Sequence, residues 1–394
     1  MRKALRSLPP TVWMLGAISL LNDAASEMVY PMVPLYLSAV LMAGPRALGL
    51  IEGLAEAAAS LLKLFSGVLV DRTGRTRPWL IGGYGLAAAG RPLIALTASW
   101  PALLVLRLSD RIGKGLRSSP RDALLAASCA AEHRGLAFGV HRSLDNAGAV
   151  IGPLAAAALL AAGLRLADIF VAALVPGALA LGLALALREP ARTTPPPTRT
   201  PFDWSLARLP GSYRRYLGAL GLFTLGNASS MFLLLRAREL GLPEYQVPLL
   251  WAVVSAVAAV GSTPLSAWSD RVGRRRLIVG GWIACGLFHF LLGIMPFGTV
   301  TLYGLFAFYG LFLAATEGAE KALVADFAPA GVRGTAYGWF NLVTGATLLP
   351  ASLVFGVLYE MAGPVVAFSF SAACALGAAA LLAVGTPLPD QAAS

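Results

Sequence analysis

Seven charged residues crowd one otherwise apolar stretch of the chain: Arg107, Asp110, Arg111, Lys114, Arg117, Arg121 and Asp122. On a helix turning about 100° per residue they occupy an arc of roughly 140°. Further titratable groups stand at helical spacing in other apolar stretches. Asp23, Ser26, Glu27 and Tyr30 share one face, and Glu52, Glu56 and Lys63 share another. Farther on, His141 and Asp145 align while Arg142 sits to one side, and Glu317, Glu320 and Lys321 form a last group. Acids facing cations in apolar surroundings suit proton uptake and release, because one proton upsets the charge balance and frees an arginine to seek another partner. The same arrangement also suits ion pairs that fix helix register, since buried charges need partners whatever the function. Asp23, Glu27, Asp110 and Asp145 are the proton-binding candidates. The remaining charged residues are expected to line a cavity. With Arg91 of a further apolar stretch, these residues comprise 9 cations and 9 carboxylates, so the crowded stretch is no sign of an anionic substrate.

Other chemistries find no support. His133, His141 and His289 are scattered, and neither H-E-x-x-H nor G-x-S-x-G occurs. Gly113-Lys114-Gly115 lacks the hydroxyl residue and context of a nucleotide-binding loop. Cys129, Cys285 and Cys374 are too few for a metal cluster or a disulfide frame. No catalysis, metal or cofactor is expected.

The elements that must position these residues follow from composition. Hydrophobic residues make up 57%, charged residues 13%, and mean hydropathy is +0.71, which describes a polytopic membrane protein. Runs long enough to cross a bilayer cover 12–41, 48–70, 79–97, 101–127, 137–162 and 167–187, then 216–235, 245–269, 277–295, 300–327, 336–360 and 364–385. That is an all-α protein of twelve spans: a six-helix bundle over 1–187, a Pro/Thr/Arg-rich linker over 188–215, and a second bundle over 216–394. The crowded stretch is the fourth span, and its charged arc must face protein or water. The net charge of +11 sits largely in short connections and is read as topology rather than nucleic-acid binding. Connections on the side of both termini hold 18 Lys and Arg against 4 on the other, so both termini are expected in the cytoplasm. The N-terminus shows no cleavage pattern, so the first run is kept as a span.

The two halves repeat one pattern. Gly67-x-x-x-Asp71-Arg72-x-Gly74-Arg75 returns 199 residues later as Ser266-x-x-x-Asp270-Arg271-x-Gly273-Arg274. The same offset carries Arg134-Gly135-x-Ala137-Phe138-Gly139 onto Arg333-Gly334-x-Ala336-Tyr337-Gly338, as expected for a duplicated membrane unit. The turn resembles the signature loop of the major facilitator superfamily of secondary transporters, with Ser266 in place of glycine in the second copy. Arg107-x-x-Asp110-Arg111-x-Gly113 resembles its fourth-span motif, with Asp110 and Arg111 where Gln and Gly are usual. Gly139, Gly148, Gly152 and Pro153 resemble the fifth-span motif of its antiporters, although Ala156-Ala157 replaces the closing Gly-Gly.

The resemblance implies a transporter with one midplane site, gated through Asp71 and its copy. The expected mode is proton-coupled efflux of a small amphipathic compound by a monomer in a bacterial inner membrane. Proton-coupled uptake of a polar metabolite is the alternative, followed by a non-transporting sensor. Aromatics number 9 in the spans and loops of the first half and 23 in the second, which would suit coupling in the first and apolar contact in the second.

Overall fold

The computed structural model describes residues 8–73, 75–129, 133–187, 205–206, 209–296, 298–327 and 333–385. Among them the chain is α-helical, with one short 3-10 turn and no strand. In order the helices are α1 Pro10–Val29, α2 Met32–Ala39, α3 Pro45–Thr73, α4 Arg77–Leu93, α5 Trp100–Ala127, α6 Arg134–Ala161, α7 Leu166–Ala172 and α8 Leu174–Ala186. There follow α9 Gly211–Gly226, α10 Met231–Glu239, α11 Gln246–Val272, α12 Arg274–Ile294, α13 Thr299–Phe327 and α14 Arg333–Gly385. Seven stretches among the described residues are both long and apolar enough to cross a membrane, beginning with Leu136–Ala161. The charge of α5 keeps it outside that set, yet it is one helix of 28 residues.

Local chemistry explains the interruptions. Pro31 has no N–H for the carbonyl four residues back, so α1 ends at Val29 and α2 restarts at Met32. The stretch 216–235 reads as one apolar span but breaks at 227–230, where Ser229 Oγ accepts the Met231 N–H at 3.3 Å. The 53-residue α14 is two helices meeting at Gly363, whose φ of 85° suits glycine. Gly273, in the second copy of the signature turn, likewise has φ 96° and starts α12.

The described chain forms two compact units. The first comprises Met1–Ala43, Leu54–Thr198 and Leu242–Ala252; the second comprises Gly44–Gly53, Arg199–Gly241 and Val253–Ser394. In the first, Val12, Leu15, Ile18, Leu80, Tyr84, Leu124 and Ala180 form an apolar cluster joining α1, α4, α5 and α8. Two glycines bring α5 against its neighbours. A Cβ on Gly113 would stand 2.5 Å from the Gly83 carbonyl of α4, and one on Gly115 would stand 2.9 Å from the Ala59 carbonyl of α3. The second unit is packed with aromatic rings. Phe223 stacks on Trp282 at 4.6 Å and Phe288 on Tyr309 at 4.6 Å, while Phe355 meets Phe368 edge-on at 5.1 Å.

Candidate functional site

The charged arc of α5 turns into the first unit: Arg107, Asp110, Arg111 and Arg117 are all buried. Asp110 is clasped from both sides. Arg91 of α4 donates to its Oδ1 at 2.9 Å, and Arg107 lies 3.7 Å from its Oδ2. Arg91 also donates to the Asn22 carbonyl at 3.1 Å and to the Asn22 side-chain oxygen at 3.3 Å, tying α1 to the cluster. One helical turn on, Arg111 pairs with Glu56 of α3 at 3.0 Å, although its Nε–H is not aligned on that oxygen. Arg117 donates to the Gly83 carbonyl at 3.2 Å and lies over the Tyr84 ring, 5.0 Å from its centre.

A second group lies on the seam of α1 and α6. Asp23 of α1 and Asp145 of α6 adjoin there, carboxyl beside carboxyl. Ser19 donates to Asp145 at 2.6 Å, Arg142 lies 3.5 Å from its other oxygen, and Asn22 donates to Asp23 at 3.0 Å. Arg121 Nη1 reaches Ser19 at 3.4 Å and its Nε pairs with Asp122 at 3.1 Å. Two adjoining carboxyls repel when both are ionised and can be bridged when one carries a proton. Two motif glycines set the seam: a Cβ on Gly148 would stand 2.4 Å from the Leu20 carbonyl, and one on Gly152 would stand 2.4 Å from the Ala24 carbonyl. Gly139 differs, with nothing within 4 Å of its Cβ position.

Glu27, one turn beyond Asp23, accepts the indole N–H of Trp251 at 2.8 Å, and Trp251 stacks on Tyr30 at 5.2 Å. The second unit has a counterpart. Trp282 donates to Glu320 at 2.9 Å, while Glu317 pairs with Lys321 at 3.1 Å. Glu52 lies in the second unit, where Ser229 donates to it at 3.4 Å.

The family model described as "Major Facilitator Superfamily" matches residues 15–235 and 216–394. The chain belongs to the major facilitator superfamily. It is 31% identical over 385 residues to an uncharacterized MFS-type transporter of Methanocaldococcus jannaschii, covering 96% of this chain and 95% of that one. It is 28% identical over 327 residues to the multidrug resistance protein MdtH of Photorhabdus laumondii, covering 80% and 78%. Among solved structures, a mutant of the nucleoside transporter NupG aligns with a TM-score of 0.77 at 15% identity, covering 95% of this chain and 98% of that one. A POT family transporter in complex with 5-aminolevulinic acid aligns with a TM-score of 0.80 at 13% identity, covering 96% of each. At those identities the structural likeness concerns the fold alone. The protein is therefore a multi-pass membrane transporter of this superfamily, and not an enzyme.

Within that superfamily fold, the candidate residues separate into groups. Asp23 meets Asp145, Glu56 meets Arg111, Arg107 meets Asp110, and Lys321 meets Glu317. Lys63 is exposed on α3, and its carbonyl accepts Ser119 at 2.9 Å. In the second signature turn, Arg274 pairs with Asp326 at the end of α13. Arg75 and Arg271 are exposed. The side chains of Gly67, Asp71, Arg72 and Asp270, and all of Gly74, lie outside the described residues. Five site residues have no motif of their own: Ser19, Asn22, Arg91, Trp251 and Trp282. Arg91 alone carried a signal, as a cation inside an apolar stretch. The others are neutral.

Proposed function

We propose that the chain exports a small amphipathic compound by alternating access in exchange for protons. It would do so as a monomer of twelve spans in a bacterial inner membrane, with both termini cytoplasmic. The observation that carries the reading is the Asp23–Asp145 pair on the glycine-packed seam of α1 and α6. With one shared proton the carboxyls attract. Once it leaves, two negative charges adjoin, and Arg121 and Arg142 must answer for both. Proton loss therefore changes the force across a seam whose helices touch backbone to backbone, tying protonation to helix position. The resemblance of α6 to the antiporter motif and the similarity to MdtH favour the outward direction.

The test is transport in membrane vesicles with an imposed pH gradient. Inverted vesicles should accumulate a substrate when the lumen is acid, and Asp23→Asn or Asp145→Asn should abolish the gradient dependence while substrate still binds. Accumulation only in right-side-out vesicles would replace efflux by uptake. Full gradient dependence in both variants would remove the pair from coupling.

A further inference from the structure

Contacts beside Asp145 form a chain that leads out of the seam. Ser19 of α1, itself buried, donates its hydroxyl proton to Asp145 Oδ1 at 2.6 Å. Its oxygen accepts Nη1 of Arg121 on α5 at 3.4 Å. At the other edge of the same guanidinium, Nε donates to Asp122 Oδ1 at 3.1 Å. Arg121 thus touches Asp122 directly and is one hydroxyl away from Asp145. The donors on the Asp145 side all point one way, so the chain polarises toward that carboxyl and favours its ionised form.

Other charged and titratable groups surround the chain. Asp23 adjoins Asp145 from α1, His141 stands one turn before it on α6, and Arg142 lies 3.5 Å from its other oxygen. Tyr84 of α4, with Arg117 over its ring, closes the remaining side. Of the two arginines at Asp145, Arg142 is 57% exposed and Arg121 only 21%, so solvent screens Arg121 less. Arg121 and Asp122 are neighbours in sequence, and such side chains do not face each other on a helix. Their contact therefore holds the guanidinium aside, toward a carboxylate that is 44% exposed, while Asp145 is 13% exposed. Attraction to the first is screened, and attraction to the second is stronger once that group is charged. Pro120, just before Arg121, has no N–H for the carbonyl four residues back, which loosens α5 at this point.

We propose that Arg121 is a positioning residue for the coupling proton, shared between Asp122 and Asp145, and that Asp122 sets how tightly Asp145 holds that proton. While the proton is held, the guanidinium stays on Asp122. When it leaves, Arg121 moves past the Ser19 hydroxyl toward Asp145 and leaves Asp122 to water. A change of charge in the seam of α1 and α6 thereby becomes a movement near the end of α5. This deepens the export reading and rests on it in one respect, that Asp145 carries the proton.

The test is infrared titration of the purified full chain in lipid bilayers, without substrate, following the protonated-carboxyl band that Asp145→Asn removes. Arg121→Gln should raise the proton affinity behind that band by at least about tenfold. Asp122→Asn should lower it by about threefold or more, because the guanidinium then has one carboxylate fewer to serve. The double variant decides how Asp122 acts: with Arg121→Gln in place, Asp122→Asn should change the affinity by less than about twofold. A through-space effect of Asp122 would persist in the double variant and overturn the proposal. Arg121→Lys keeps the charge and should stay within about threefold of the unmodified protein. An affinity equal to that of Arg121→Gln would show that charge is not what acts, and would overturn it too. Asp122 is half-exposed, so Asp122→Asn folds whether or not Arg121→Gln does, and an unshifted band in that variant alone refutes the proposal. If Asp145→Asn removes no titrating band, the export reading loses its proton carrier and this inference falls with it. If the band is present but unmoved by the Asp122 and Arg121 variants, only the inference falls.

Discussion

Substituting alanine at the three glycines of the α6 motif should give two different results, although the motif treats them alike. A Cβ at Gly152 would stand 2.4 Å from the Ala24 carbonyl oxygen and 2.9 Å from the Met28 nitrogen, and one at Gly148 would stand 2.4 Å from the Leu20 carbonyl. These neighbours are backbone atoms, so no side chain can swing aside. Ordinary contact begins near 3.4 Å, so α1 and α6 must part by about 1 Å. Overpacking of this kind costs about 1–3 kcal/mol, a fall of several degrees in thermal midpoint. The separation also reaches the carboxyl pair. Ser19 holds Asp145 at 2.6 Å, and a further ~1 Å carries that contact past hydrogen-bonding range. Gly148→Ala and Gly152→Ala should therefore lower the midpoint and weaken pH-driven flux together. Gly139→Ala meets nothing within 4 Å and should be neutral, or stabilise by about 0.5–1 kcal/mol through helix propensity. Thermal unfolding in detergent, run beside flux in proteoliposomes, decides the matter. Equal loss at all three positions, or full flux in Gly148→Ala with a lowered midpoint, would refute the link between seam and coupling.

Further expectations can be checked with the same preparations. Asp110→Asn leaves Arg91 and Arg107 without their shared carboxylate in a buried site and should cost about 3–5 kcal/mol, seen as loss of folded protein rather than of gradient dependence alone. A well-folded but uncoupled variant would instead make Asp110 a proton carrier. Trp282→Phe keeps a ring against Phe223 but removes the N–H held by Glu320, so the midpoint should fall while pH-driven flux persists. Loss of that flux would move the coupling carboxyl into the second unit. A cysteine at Arg46, whose exposed pair with Glu360 is worth about 0–1 kcal/mol, should react with an impermeant reagent from outside, and one at Arg276 should not. The reverse pattern would invert the topology.

The fold was legible because a bilayer leaves a helix few choices. Apolar runs of sufficient length, basic turns between them and a repeat at 199 residues lead to the same architecture by independent routes. Span 216–235 reads as continuous because its average hydropathy is high, and averaging conceals a polar run such as 227–230. What ends a helix there is competition from serine side chains for backbone groups, a local property that a twenty-residue window smooths away.

The site was legible only where its chemistry was charged. Seven charges on one apolar-length helix admit one resolution, an inward-facing arc, and Arg107, Asp110, Arg111 and Arg117 are buried accordingly. Which acid meets which cation was not legible, because partner choice depends on where helices cross, and glycines in other helices set the crossings. Gly83 and Gly113 bring α4 and α5 together near Arg117, and Gly148 and Gly152 bring α1 and α6 together beside Asp23 and Asp145. The neutral donors were further out of reach. Trp251 and Trp282 look like membrane-core filling in the sequence, yet each gives its single N–H to a carboxylate, Glu27 and Glu320. A carboxylate capped by an indole has a hydrogen bond but no countercharge in contact with it, unlike Asp110 between two guanidiniums. Charge balance over the whole interior therefore hides local differences, because Glu27 and Glu320 each meet a neutral donor where Asp110 meets two cations.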